Sequence, residues 1–153
     1  MRQRIIPANS HNDFLLASAG ETAHHQPIVI TQKDVRELQL AKGAIAAGIA
    51  ILMAELGITK EDIDEVLIAG AFGNYINKYN AQTLGLIPPV PPERVKFVGN
   101  AASVGAKKFL LSQAAKDEAH QIIETTEYIE LSGRADFQEQ FAEAMFLGQL
   151  SLG

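Results

Sequence analysis

Hydrophobic positions along this chain follow two different spacings, and each change of spacing marks a new element. Arg4 to Pro7, Phe14 to Ala17 and Ile28 to Ile30 are short apolar runs separated by the polar stretches 8–13 and 18–27. They predict three strands joined by a turn and a loop, an antiparallel meander. Farther on, Leu38, Ala41, Ile45, Ile49, Leu52 and Leu56 recur every three or four residues, which places them on one face of a helix. Thr31 and Asp34 have capping-box spacing at its start, and Gly57 supplies a stop. Gly43, Ala44, Ala46, Ala47, Gly48 and Ala50 thin the side chains of this helix, which suits close packing against a sheet at some cost in propensity. The polar Gln32, Lys33, Arg36, Glu37 and Lys42 read as a solvated face.

The second half alternates strands and helices. Thr59 to Ile63 reads as one capped helical turn, and Glu65 to Ala69 as a buried strand. Asn77 to Leu84 is a short helix ended by Gly85. Leu86 to Pro92 is proline-rich; proline fixes the backbone and removes donors, so this is a rigid connector. Val95 to Val98 is a strand, followed by a helix from about Ala101. Ser112 to Thr125 is expected to be helix and Glu127 to Leu131 strand. Ala135 to Leu147 is expected to be a helix with Phe137, Phe141, Ala144 and Met145 on its core face. The expected class is α/β: a mixed sheet with order βββαβαβα, then helix, strand and helix.

Composition narrows the possibilities. The 153 residues are 47% apolar and 20% charged with a net charge of -5, which fits one soluble globular domain. The absence of a basic run and the few aromatics argue against nucleic acid as a partner. The chain has no cysteine, so disulfides, zinc–thiolate sites and iron–sulfur clusters held by its own residues are excluded. Met1 to Asn12 lacks the apolar core of a signal peptide. Ala41 to Leu56 is short for a membrane span and contains Gly43, Gly48 and Glu55, so it reads as a buried helix. The expected location is the cytoplasm, with no membrane partner.

Candidate chemistry lies at two turns. Val66 to Ala69 breaks into Gly70-Ala71-Phe72-Gly73-Asn74, where small residues let a ligand approach the main chain and Asn74 adds donors and acceptors. Val95 to Val98 breaks into Gly99-Asn100 and a helix start. If the two strands are parallel, both turns face one end of the sheet, where ligands of open α/β sheets collect. The amino end of the second helix favours a negatively charged or nucleotide-like ligand there. No lysine-bearing phosphate loop is present. The adjacent His24 and His25, together with His11, read as solvated loop residues; a metal-dependent hydrolase built on the pair is the weaker alternative.

The runs Ile30 to Lys42, Leu67 to Ile76 and Val98 to Ala102, with Tyr128 to Leu131 and Phe137 to Phe146, resemble the C-terminal domain of the reductive activators of corrinoid proteins. The resemblance covers most of the chain from about Pro27. That family belongs to the actin-like ATPase superfamily, whose lobes have a ribonuclease H-like fold. The resemblance implies that ATP with Mg²⁺ helps move an electron from an iron–sulfur cluster to cob(II)alamin, restoring cob(I). It implies that Gly70 and Ala71 stand where the superfamily's adenosine-contacting glycine pair lies, with Ala71 departing from a strict glycine pair. Phe72, Gly73 and Asn74 would line the same pocket, Gly99 and Asn100 would flank it, and the run from Gly99 to Gly105 would match the helix connecting two lobes.

The superfamily's Asp-x-Gly-Thr phosphate motifs are absent here, as are the cysteines of a [2Fe-2S] domain. The resemblance therefore implies one lobe, residues 1–153, of a longer iron–sulfur protein, catalytically incompetent alone. The implied partners are a corrinoid protein or corrinoid methyltransferase subunit, the remaining domains of the same polypeptide and, through surface they would cover, a second copy. The competing expectation is a non-enzymatic interaction domain that packs a protein neighbour with the same glycine-rich turns.

Overall fold

The computed structural model describes residues 4–8, 11–71 and 75–148. It comprises two compact units, Met1–Lys42 and Gly43–Gly153. In the first, β1 (Ile5–Ala8), β2 (His11–Ala17) and β3 (Ile28–Ile30) form an antiparallel meander in the order β1-β2-β3. Ala8 pairs with His11, so His11, Asn12 and Asp13 belong to β2 rather than to the expected turn, and the residues between them lie outside the described set. The loop after β2 is pinned at Ser18, whose N–H and Oγ donate to Glu21 Oε2 at 2.8 and 2.7 Å. His24 and His25 are exposed in this loop, as expected.

The helix α1 (Gln32–Leu56) opens on the expected capping box. Thr31 N–H and Oγ1 donate to Asp34 Oδ2, both at 2.8 Å, and Asp34 N–H donates back to Thr31 Oγ1 at 3.1 Å. Gly57 ends the helix with φ +64°, a conformation that costs a glycine little.

The buried stripe of α1 differs from the expected one. Ile45, Leu52 and Leu56 are exposed, whereas Lys42, Ala46, Ala47 and Ile51 are buried. Within the second unit the reason is backbone approach. A Cβ built on Gly43 would stand 3.1 Å from Met145 Cγ and 3.2 Å from Phe141 Cε2, and one on Gly48 would meet Leu131 Cδ1 at 3.5 Å. Small residues admit the last helix closely, and dispersion rewards that approach more than bulk on the neighbouring face. By length and composition alone α1 is sufficient to span a membrane; within this fold Ala46, Ala47 and Ile51 are buried against protein.

The second unit continues with β4 (Val66–Ala69), α2 (Lys78–Thr83), β5 (Val95–Gly99), α3 (Ala101–Leu111), α4 (Gln113–Thr125) and α5 (Ala135–Ala144). β4 and β5 pair in parallel, so the described strands form two sheets rather than one mixed sheet. Ala81, Ile87, Val90 and Val95 make the core of this unit, with Ile63, Val66, Ile68, Ile76 and Leu86 packed around it. The proline-rich connector is thus a core wall. Its carbonyls are held from outside the segment: Lys78 Nζ donates to Pro92 O at 2.7 Å, and Gln82 Nε2 donates to Pro88 O at 3.2 Å.

Glu127 to Leu131 is not a strand, contrary to the sequence expectation. Its polar groups turn inward on one another: Glu130 accepts from Tyr128 Oη, from Ser132 Oγ and from Ser132 N–H. Arg134 then ties the start of α5 to the end of α1, donating to Asp136 Oδ2 at 2.7 Å and pairing with Glu55 Oε1 at 2.6 Å. Phe137 and Phe141 stack on α5 with ring centroids 5.9 Å apart.

Candidate functional site

The site is built by the parallel pair. Val66, Leu67 and Ile68 face Val95, Lys96 and Phe97 in regular register, and the register then shifts so that Ala69 faces Gly99. Both chains leave the sheet at the same end, because parallel strands share a direction. Gly70 leaves with φ +83° and Gly99 with φ +65°, left-handed conformations that side-chain-bearing residues rarely adopt. The N–H of Gly70 donates to the carbonyl oxygen of Gly99 at 2.7 Å, locking the two turns together. A Cβ on either glycine would meet nothing within 4 Å, so space beside both main chains is open.

Ala71 follows directly and is exposed. Asn100 is the N-cap of α3: its Oδ1 accepts from Ser103 N–H at 3.0 Å. The amino end of α3, with its partial positive charge, therefore starts one residue after Gly99. Of the seven residues the sequence singled out, Gly70, Ala71, Gly99 and Asn100 are brought to this end of the sheet; Phe72, Gly73 and Asn74 lie outside the described residues. His24 and His25 are remote in sequence and solvated, and His24 Nδ1 accepts from Gln26 N–H at 3.2 Å. Among the described residues no three His, Asp or Glu side chains converge as metal ligands.

One polar residue departs from its sequence reading. Lys42, expected on a solvated helix face, is 1% exposed, and burial pulls its amine below the usual lysine range. The signal was its position: Lys42 immediately precedes Gly43 and stands one turn before Ala46, in the small-residue stripe that packs.

The family described as the C-terminal domain of RACo, the ASKHA domain, matches residues 1–152. The chain belongs to this family. The RACo C-terminal domain found here is 41% identical over 142 residues to the corrinoid activation enzyme RamQ of Eubacterium limosum, covering 92% of this chain and 24% of the relative. It is 36% identical over 95 residues to a [Co(II) methylated amine-specific corrinoid protein] reductase of Methanosarcina barkeri, covering 62% of this chain and 17% of that one. Among solved structures it superposes on a reductive activator for corrinoid, iron–sulfur protein with a TM-score of 0.81 and 38% identity, over 96% of this chain and 23% of the other. This RACo-type domain thus spans about a quarter or less of the length of these relatives, and its α/β fold is of the ASKHA type.

Proposed function

We propose that this chain is the nucleotide-binding lobe of an ATP-dependent reductive activator of a corrinoid protein. In the complete protein a reduced [2Fe-2S] cluster gives up one electron, and corrinoid cobalt gains it, passing from Co(II) to Co(I). This chain has no cysteine, so in this reading the cluster, like the phosphate-gripping loops and the Mg²⁺ ligands, is supplied by the rest of a longer, cytoplasmic polypeptide. The task of the lobe is to hold the nucleoside end of ATP so that closure over the phosphates can be coupled to the corrinoid partner.

The observation that carries the reading is the hydrogen bond between the left-handed Gly70 and Gly99 turns at the common end of β4 and β5. It supplies two adjacent main chains without side-chain bulk, beside the amino end of α3. In this reading Gly70, Ala71, Phe72, Gly73 and Asn74 line the adenosine pocket, and Gly99 and Asn100 flank it. Support also comes from the relatives, named for corrinoid activation, corrinoid-protein reduction and reductive activation.

The test uses the complete protein with its cluster chemically reduced, mixed with a Co(II) corrinoid protein. The Co(II) electron paramagnetic resonance signal is expected to disappear with ATP and to persist without it. Persistence under both conditions, with the corrinoid protein bound, would leave only an interaction domain.

A further inference from the structure

The helices α3 and α4 fold back on each other at Ser112, whose Oγ accepts from Ala115 N–H at 3.2 Å. Phe109 and His120 meet edge to face across the hairpin, ring centroids 6.5 Å apart. Between the helices lies a groove of about 640 Å³ lined chiefly by apolar atoms of Phe109, Leu110, Ala115, Ala119 and Ile122. Neither helix has a fully buried residue; Leu110 in the lining is 76% exposed, and past the groove Ile123 is 69% exposed. A contiguous apolar surface of this kind is held in water only at a cost in free energy, and marks a contact surface.

The lining and the lengths of the relatives bear on the occupant. Lys108 of α3 and Glu118 of α4 are the charged members of the lining. A matching segment is apolar in its centre, with an acid placed for Lys108 and a base for Glu118. The family is a C-terminal domain, and this chain covers 24% and 23% of two of its relatives. In such proteins most of the polypeptide precedes this region. A tethered segment meets the groove at an effective concentration a separate molecule seldom reaches, so it takes the groove ahead of a second copy.

We propose that the α3–α4 groove seats an apolar, amphipathic segment from the preceding part of the same polypeptide. This rests on the reading of the chain as the C-terminal lobe of a longer activator. The amino end of α3 borders the Gly70–Gly99 turns, so the seated segment lies on the helix that reaches the candidate site.

The test is photo-crosslinking in the complete protein, with benzoylphenylalanine replacing Leu110 in one variant and Ile122 in a second, in case one fails to fold. After irradiation of the purified activator alone, cross-links are mapped by mass spectrometry. Intrachain cross-links to residues preceding this region are the expected result. Cross-links between two chains, or none in a protein that still binds ATP, overturn the proposal. A native gene product of 16.5 kDa instead removes the reading on which it rests, a result separable from the other two.

Discussion

The N–H of Gly70 donates to the carbonyl oxygen of Gly99 at 2.7 Å, joining two left-handed turns that leave parallel strands at the same end. This contact holds together two short loops that would otherwise be independent. Its cost is conformational: a residue with a Cβ is disfavoured at each position.

Gly70→Ala and Gly99→Ala are each expected to destabilise the fold by roughly 1–2 kcal/mol, the cost of a left-handed residue. The added Cβ meets nothing within 4 Å at either site, so strain rather than a clash sets the size. Urea unfolding measures it. A loss near zero would show that the turns are not left-handed in solution.

The close contact of α1 with α5 predicts a coupled pair. Gly43→Val pushes its side chain into Met145 and Phe141, atoms already 3.1 and 3.2 Å from an added Cβ, and is expected to cost about 1–3 kcal/mol. Met145→Ala opens a void by itself, yet in the double variant it makes room for the valine. The double variant is therefore expected to be more stable than the sum of the two losses implies. Strict additivity would mean that the helices do not meet there.

Thr31→Ala is expected to cost about 0.5–2 kcal/mol by removing the N-cap of α1. The hydrogen bonds to Asp34, first from the Thr31 main chain and then from its hydroxyl, hold the Asp34 carboxyl below its usual range. A depressed carboxyl stabilises above its unfolded pKa and loses that contribution as pH falls through the folded pKa. The difference between wild type and Asp34→Ala should thus be flat near neutrality and shrink as pH drops below the ordinary 3.8. Melting temperatures across that range check the sign.

Glu130 gives a wider window. Hydrogen bonds from the Ser132 side chain, from Tyr128 and from the Ser132 main chain lower its carboxyl from 4.5 to about 2. The stabilisation is complete above pH 4.5 and disappears as pH falls to about 2. Glu130→Ala should therefore melt earlier than wild type at neutral pH and together with it at the acid end. A constant gap at all pH values would assign the effect to packing instead.

Most elements were legible because local chemistry dictates them. Thr31 with Asp34 and Thr59 with Asp62 announce their own turns, Asn77 caps α2, and Gly57 and Gly85 adopt the positive φ their positions predict. The antiparallel meander followed from three short runs joined by short loops, whereas the parallel direction of β4 and β5, a condition in the sequence reading, comes from their pairing. What failed was the choice between competing tertiary options. The leucine face of α1 has the stronger period, but the glycine–alanine face admits α5, and closeness decided. Tyr128-Ile129-Glu130-Leu131 alternates like a strand, yet its side chains satisfy the local backbone and no described strand pairs with it. At the site, Gly70 and Gly99 were visible as turn residues, whereas the hydrogen bond joining them spans 29 positions and has no local signature. The burial of Lys42 has a weak sequence signal, because its charge points to solvent and only its place beside Gly43 and one turn before Ala46 points to the packed stripe.

The central claim is that nucleotide binds at the Gly70–Gly99 turns, and ATP affinity in the complete protein tests it directly. Titration calorimetry would compare wild type, Gly70→Val and Gly57→Val. Gly57 has the same left-handed backbone and open surroundings, at the end of α1, so it reports strain alone. The account predicts a loss of affinity of tenfold or more for Gly70→Val and wild-type affinity for Gly57→Val, both proteins remaining folded. Equal affinity in all three would contradict it and place the nucleotide elsewhere.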